Sequence, residues 1–456
     1  MGLAEKTVKN FGIVFLAMIV LRVIEALSKF FLIRLLTPDD FGIIAVASIP
    51  ISLLVLFQTG GLDQALIYKK DRIREAAGTG LLLTLVIGFL LYAIAFLTAP
   101  YVSTFFNAPL ADSVIKVLGL SLILASLSQV PLTIIDKELY FGRDVAISIL
   151  SVLSNMVVAI LLALKGFGYW SLVYGALTGS IFGGVLSWIL CPWRIKLSFD
   201  RKLAFEMIGY GKHILLAAIV IYFTTNIDDI SVGKLLGVTA LGLYSISYNI
   251  SNLPATNITH IVGKVMFPTY SKLQDNLESL RKAYMKTVRY VSMLSVPAAF
   301  GIMVIAHDAV LMLFKAKWAP IVPLVQVLAV YGLIRSLGAT TGEIFKTVGK
   351  PQLISFYTSL ILVMMALFVI PVSLQYGLVG VCVLVVVSGL IPTTMALHKT
   401  ARLLGITSRE LLLDTKTQFI AGTLALVLTA YLRSLIDSTS LTTLAFTFTA
   451  YSITYL

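Results

Sequence analysis

Long apolar runs separated by short polar breaks are the feature that most limits how this chain can fold. The first run extends from Phe11 to Leu36, and similar runs follow one another to the last residue, Leu456. About 20 apolar residues in a helix cross a hydrocarbon core of roughly 30 Å. Since 58% of the residues are hydrophobic and only 12% are charged, polar side chains are too few to cover the surface in water. The sequence predicts an all-α integral membrane protein.

Dividing the sequence at its polar breaks predicts about 14 transmembrane helices. Their expected ranges are 11–36, 41–67, 78–99, 113–135, 145–164, 169–191, 209–232, 239–262, 288–313, 322–345, 352–374, 377–397, 417–435 and 440–456.

The lysine and arginine residues are distributed unequally between alternate helix ends. With the amino terminus in the cytoplasm, and with basic residues near a helix end assigned to the side of that end, 25 of the 35 basic residues fall on the cytoplasmic side and 6 on the opposite side. The other 4 lie deeper within helices. This asymmetry predicts a multi-pass protein of the cell (inner or plasma) membrane with both termini in the cytoplasm. It also explains the net charge of +13 through contact with anionic membrane lipids, so we expect no nucleic-acid partner.

The two halves of the chain carry weak internal similarity at a nearly constant offset. Residues 34–43 align with 234–243, residues 116–127 with 326–337, and residues 142–148 with 349–355. Six helices return the chain to the side where it began, so two such repeats are related by an axis along the membrane normal. We therefore predict two pseudo-symmetric six-helix lobes and two C-terminal helices. The expected bounds are 1–204 (helices 1–6), 205–400 (helices 7–12) and 401–456 (helices 13 and 14).

Several turn and packing motifs resemble those of a known family. They are Leu35-Leu36-Thr37-Pro38-Asp39-Asp40-Phe41-Gly42, Thr59-Gly60-Gly61-Leu62 with Ala65-Leu66-Ile67, Gly233-Lys234-Leu235-Leu236-Gly237 with Leu241-Gly242-Leu243-Tyr244, Phe267-Pro268 with Tyr270-Ser271, Lys317-Trp318-Ala319, and Gly349-Lys350-Pro351. In combination they resemble the polysaccharide flippases of the multidrug, oligosaccharidyl-lipid and polysaccharide exporter superfamily. The sequence departs from the family pattern at Lys315, where such proteins usually carry glycine, so the turn there is expected to differ.

The resemblance implies a 12-helix core with two further helices. It also implies a function in cell-envelope polysaccharide biosynthesis, the outward transfer of an undecaprenyl- or dolichyl-pyrophosphate-linked oligosaccharide by alternating access. The expected substrate is thus a lipid-linked oligosaccharide.

Charged residues within the predicted helices are the first candidates for binding, because charges are costly in hydrocarbon. Arg22, Glu25 and Lys29 lie within about 60° of one helical face. Pairing of Glu25 with Lys29 would leave Arg22 free to meet a phosphate through its planar fork. The alternatives are a structural ion pair between helices and a side chain that reaches the interface.

Arg335 and four acidic residues complete the set of candidates. Arg335 lies mid-helix and, with Arg22 and Lys29, is predicted to bind the anionic substrate. Asp228, Asp229, Glu25 and Glu343 are candidates for coupling transport to H⁺ or Na⁺. The alternative for Asp228 and Asp229 is that they begin a solvated outer loop.

Catalytic motifs do not accompany these charges. The sequence has no Gly-x-x-x-x-Gly-Lys-Ser/Thr motif and no His/Cys cluster, so we expect no ATP hydrolysis, no catalytic or metal-binding residue and no cofactor. An enzyme such as a membrane glycosyltransferase needs a larger external loop, which makes a transporter the better interpretation. The closer alternative is a cation-coupled exporter of drugs or other organic cations on the same fold.

Overall fold

The structure is a computed structural model that describes residues 3–59, 62–69, 71–435 and 441–455. The side chains of 3–18, 59, 68, 208–217, 220, 260, 261, 408, 441, 442 and 444 lie outside this description. Every regular element in the described part of the chain is a helix. This architecture confirms the predicted all-α fold class.

The chain divides into two compact units, Met1–Phe223 and Thr224–Leu456. The helices of the first unit are α1 Leu3–Leu35, α2 Pro38–Thr59, α3 Leu62–Tyr68, α4 Ile73–Phe105, α5 Pro109–Leu118, α6 Leu120–Lys137, α7 Phe141–Leu164, α8 Trp170–Leu190 and the first part of α9, Arg201–Leu235. The second unit holds the rest of α9, then α10 Val238–Leu273, α11 Leu277–Ala309, α12 Ile321–Thr347, α13 Gln352–Leu403, α14 Ser408–Ser434 and α15 Leu441–Tyr455.

The helices of the structure divide the chain differently from the predicted ranges at three places. The predicted helix 41–67 corresponds to α2 and α3, and Gly60 and Gly61 between them lie outside the described residues. The predicted helix 113–135 corresponds to α5 and α6, which meet at Gly119. The predicted helices 352–374 and 377–397 meet at Gly377, whose φ of 58° and ψ of −149° break α13. Glycine tolerates this backbone conformation, which other residues avoid, so α13 turns without a loop.

Nine segments within the described residues are long and apolar enough to cross a membrane. They are Pro38–Ile67, Ile73–Phe105, Pro109–Lys137, Phe141–Leu164, Trp170–Leu190, Leu277–Phe314, Ile321–Thr347, Gln352–Leu403 and Arg409–Ser434.

Polar contacts, buried at Gln58 and exposed at Arg72, connect the helices of the first unit. Gln58 of α2 donates from Nε2 to the carbonyl oxygen of Leu122 at 2.7 Å and to Oγ of Ser126 at 2.9 Å, both in α6.

At one end of the unit, Arg72 binds both Glu75 and Asp200. The hydrogen bond from Arg72 and those from the backbone N–H groups of Leu203 and Lys202 hold the pKa of Asp200 below its usual range. These contacts fix the start of α9 against α4.

Helix α12 is the central element of the second unit. It packs against α10, α11 and α13, and half of its most apolar stretch is buried. Ser251 of α10 donates to the carbonyl oxygen of Val325 at 2.9 Å, which holds α10 against α12. Ser336, Thr340 and Glu343 of α12 are buried, and Arg335 lies on the same helix.

Candidate functional site: an arginine cavity and an acidic pair

The charged residues of α1 form a pair that differs from the expected one. Nη1 of Arg22 lies 2.9 Å from Oε2 of Glu25, and the two side chains are 56% and 43% exposed. Arg22 therefore has a carboxylate partner on its own helix, so the hypothesis that Glu25 leaves Arg22 free is wrong. Lys29 lies exposed on the same helix. Because so exposed a charged pair is costly in lipid, this face of α1 is suited to water or protein.

Arg335 lies near the middle of α12 and borders a cavity of about 250 Å³ in the second unit. Its Nη1 atom donates to Oγ1 of Thr256 at 3.3 Å, which leaves most of its five N–H donors for other partners. The cavity lies between α10, α12 and the two segments of α13, on either side of the break at Gly377. A half-buried guanidinium beside a cavity is placed to bind an anion.

The acidic pair lies within α9 rather than in a solvated loop, with Asp228 buried and Asp229 half-buried. Asp228 is 8% exposed, and its Oδ2 atom accepts a hydrogen bond of 2.5 Å from the Tyr244 hydroxyl of α10. Its Oδ1 atom is buried without a hydrogen-bond partner among the described residues. Asp229 accepts a long hydrogen bond of 3.5 Å from Ser245. A buried carboxylate oxygen without a partner is a suitable ligand for a proton or a cation.

A row of tyrosines connects this acidic pair with the helix that carries Arg335. The ring centroids of Tyr244 and Tyr248 are 6.1 Å apart, and those of Tyr248 and Tyr331 are 6.0 Å apart. Tyr331 lies one helical turn before Arg335 on α12. The three tyrosines, which we call the tyrosine row, thus extend from Asp228 to the wall of the cavity.

Glu343 already has a cationic partner. It lies two turns beyond Arg335 on α12, is 8% exposed, and accepts hydrogen bonds of 3.0 and 3.2 Å from Lys346. The ammonium group of Lys346 also lies over the ring of Phe267 on α10, at 5.7 Å. These contacts are those of a structural ion pair within α12, whose lysine also contacts α10 through Phe267.

Two features of the second unit are not among the candidate residues that the sequence predicts. The tyrosine row carries no distinctive signal, because tyrosine is common in apolar helices. Asp308 and Arg433 form a two-pronged ion pair, with both N–O distances at 2.7 Å, near the ends of α11 and α14. The sequence offered one signal for this pair. Asp308 lies in the predicted helix 288–313, and Arg433 lies in the predicted helix 417–435.

The helical fold matches that of solved membrane proteins. The lipid II flippase MurJ in its inward closed conformation superposes with a TM-score of 0.78 over 96% of each chain, at 13% identity. An inward-facing MATE family multidrug resistance transporter of the MOP superfamily gives 0.67 over 84% of this chain and 94% of that one, at 16% identity. Likeness at this level of identity establishes the fold.

The sequence establishes the family. Residues 31–323 match the family of polysaccharide biosynthesis proteins, and the chain belongs to this family. The lipopolysaccharide biosynthesis protein WzxC of Escherichia coli (strain K12) is 25% identical over 350 residues, 75% of this chain and 70% of that protein. The succinoglycan biosynthesis transport protein ExoT of Rhizobium meliloti (strain 1021) is 26% identical over 70% of this chain and 65% of that protein. The predicted family resemblance is confirmed.

Proposed function

We propose that this protein is a flippase that moves a polyprenyl-pyrophosphate-linked oligosaccharide repeat unit from the cytoplasmic to the outer leaflet. The single observation that carries the proposal is Arg335, half-buried in the middle of an apolar helix and open to a cavity. An arginine at this depth is costly unless it has an anionic or polar partner. Membership of a polysaccharide biosynthesis family supports a glycan lipid as the source of that anion.

The proposal includes 14 membrane crossings arranged as two related six-helix lobes with cytoplasmic termini. The helix bounds support the repeat, because α1 and α9 end at Leu35 and Leu235, and α2 and α10 begin at Pro38 and Val238. Both pairs are offset by 200 residues. Joining α2 with α3 and α5 with α6, and dividing α13 at Gly377, gives 14 segments.

Matching side-chain contacts support the same repeat. Ser126 of α6 and Ser336 of α12, which the sequence alignment pairs, are both buried. Each donates to the carbonyl oxygen four residues earlier, at 2.8 and 2.9 Å. Arg72 binds Asp200 at the start of α9, and Arg281 binds Glu410 at the start of α14.

In the proposed cycle, positive side chains receive the substrate head group while the polyprenyl tail remains in lipid. Arg22 and Lys29 of α1 bind the pyrophosphate, and Arg335 binds an anionic group of the same head. Rocking of the two lobes then exposes the head on the outer side. The protein hydrolyses no ATP in this cycle, and no step requires a cofactor.

The cycle is coupled to H⁺ or Na⁺ through the acidic pair Asp228 and Asp229. The unpartnered Oδ1 atom of Asp228 supports this assignment, and the tyrosine row supplies a packed connection to α12. Glu25 and Glu343 are less suited to this role, because Arg22 and Lys346 already balance their charges.

A cation-coupled exporter of organic cations is the alternative on the same fold. Such a protein needs acidic and aromatic groups around its cationic substrate. Arg335 is the one charged residue among the described residues that line the cavity. A cationic substrate would be repelled there, which favours the flippase.

Reconstituted flipping tests the proposal. Proteoliposomes that contain the full chain are given a labelled undecaprenyl-pyrophosphate-linked oligosaccharide that carries an acidic sugar, and transfer between leaflets is measured for wild type, Arg22→Ala and Arg335→Ala. We expect each variant to lower the rate about tenfold or more, since charge-assisted hydrogen bonds contribute about 1.5–3 kcal/mol. Arg402→Ala, at the exposed end of α13, is the matched control and retains the wild-type rate.

Two results would contradict the proposal. Unchanged rates in both variants would remove the anion site. Export of a cationic dye by a wild-type protein that does not move the glycan lipid would favour the drug exporter.

A further inference from the structure

We propose that the Arg335 cavity is a subsite for one acidic sugar ring of the saccharide, recognised through its carboxylate. This inference rests on the proposed flippase function and specifies which part of the head group α12 contacts. The pyrophosphate is then left to the cations of α1.

The charge of the cavity limits the anion that it accepts. Arg335 is its one charged lining residue within the described part of the chain. A buried anion needs its charge balanced locally, and one guanidinium balances one negative charge. A carboxylate carries one charge and fits the planar fork of arginine with two parallel hydrogen bonds. A pyrophosphate carries more than one charge, so a single arginine matches it poorly.

The remaining polar lining residues have the hydrogen-bonding capacity that a sugar ring needs. Hydroxyl groups are contributed by Thr259 of α10 and by Thr358 and Thr393 of the two α13 segments. Oγ1 of Thr259 is buried and has no hydrogen-bond partner among the described residues. Since buried polar atoms are rarely left without a partner, this hydroxyl is available to a ligand. Hydroxyls both donate and accept, as the hydroxyls of a sugar do.

Aromatic rings supply the apolar contact. Tyr357 lines the cavity and stacks on Phe345, with ring centroids 5.9 Å apart and an interplanar angle of 20°. This contact holds the ring of Tyr357 in a fixed orientation. The face of the ring is apolar, and the hydroxyl group at its end is polar. The C–H groups of a pyranose can pack on such a face while its hydroxyls reach the threonines.

Small residues on α12 provide the space for the ring. Gly338, Ala339 and Gly342 lie on the lining face beyond Arg335. A Cβ atom added at Gly342 would meet no other atom within 4 Å, so this glycine borders open space. The volume of about 250 Å³ lies below the roughly 300–1,000 Å³ of cavities that hold drug-sized ligands. One ring therefore fits better than an oligosaccharide.

Three lipid probes test the subsite with the full chain in nanodiscs. The first is bare undecaprenyl pyrophosphate. The second is the same lipid with a disaccharide that ends in glucuronic acid, and the third carries a neutral disaccharide that ends in glucose. We expect wild type to bind the glucuronyl lipid about tenfold more tightly than the glucosyl lipid. Arg335→Gln should abolish this preference and change the affinity for the other two lipids less than about twofold. Arg335→Lys should retain part of the preference because it keeps the charge.

A second variant changes the volume of the cavity rather than its charge. Gly342→Leu should fill the cavity and weaken both sugar-bearing lipids at least about fivefold, because overfilling a packed site costs binding energy. Binding of the bare lipid should persist. Gly184→Leu is the matched control, since Gly184 of α8 also has nothing within 4 Å of an added Cβ. It should change none of the three affinities.

The failures of the two proposals are distinguishable. Equal binding of the acidic and neutral lipids by wild type, or an equal loss for all three lipids in Arg335→Gln, would overturn the sugar subsite while leaving the flippase intact. If wild type in proteoliposomes moves neither sugar-bearing lipid, the proposed function itself fails.

Discussion

At the scale of single residues, Lys315 has the backbone conformation least suited to its side chain. Its φ is 72° and its ψ is 168°, in a region that is almost confined to glycine. The sequence comparison with the flippases led us to expect a different turn because glycine is replaced here. The structure instead retains a glycine-like backbone and places an exposed lysine in it.

Lys315→Gly should therefore stabilise the protein. Relief of the strain is expected to contribute about 1 kcal/mol, measured as a rise in the Tm of the purified protein in detergent. Lys315→Ala is the control, because alanine keeps the strained φ and should give no gain. An equal rise in both variants would mean that removal of the charge, rather than the backbone, is responsible.

Residue identity predicted some of the candidate site and not the rest. Arg335, Asp228 and Glu343 could be identified from the sequence, because a charged residue is conspicuous within an apolar run. The tyrosine row gave no such contrast, and hydropathy could not show that Tyr244 and Asp228 meet across α9 and α10. The pairing of Arg22 with Glu25 was missed because i,i+3 and i,i+4 partners are both within reach on a helix.

At the scale of helices, the ion pair between Asp308 and Arg433 fastens α14 to α11. Asp308 is 1% exposed and Arg433 is 20% exposed, so water reaches the pair poorly. Removal of one partner from a buried pair leaves an uncompensated charge, and this costs more than removal of both.

Arg433→Leu should lower the free energy of unfolding by about 3 kcal/mol. The double variant Asp308→Asn/Arg433→Leu should recover much of that loss, since no buried charge remains without a partner. A double-mutant cycle built from unfolding measurements gives the coupling energy. Additive losses in the cycle would show that the pair does not hold the two helices together.

Helix positions were predicted better than helix ends. Hydropathy detects residues that match hydrocarbon, whereas a helix continues into water wherever its backbone bonds remain satisfied. The predicted helix 239–262 thus continues as α10 to Leu273, through the polar residues Lys264 and Lys272. The break between α5 and α6 at Gly119 was missed because both sides of it are apolar.

At the scale of the whole molecule, the acidic pair and the Arg335 cavity lie in the same unit and are connected by the tyrosine row. A cation bound at Asp228 would neutralise the negative charge that Tyr244 faces. The packed tyrosine rings of α10 and α12 would then change position. Ion binding and substrate binding would then be energetically linked, and such coupling acts in both directions.

Asp228→Asn should make flipping independent of an imposed H⁺ or Na⁺ gradient. Asparagine still accepts the Tyr244 hydrogen bond but carries no charge to be balanced, so the basal rate should persist without acceleration by the gradient. The measurement is leaflet transfer in proteoliposomes with and without each gradient.

Glu343→Gln is the matched control for this prediction. The carboxylate of Glu343 is equally buried but paired with Lys346, so the variant should keep the dependence on the gradient. If Glu343→Gln abolishes that dependence and Asp228→Asn does not, the coupling group is Glu343 rather than Asp228.

Within the part of the chain that the structure describes, one charged side chain lines the α12 cavity, and this has an evolutionary consequence. If one arginine decides whether an acidic sugar is accepted, the charge preference of the transporter is encoded by one codon. A lineage that replaces an acidic surface sugar with a neutral one then needs a single substitution to adapt its exporter, with the surrounding helices unchanged.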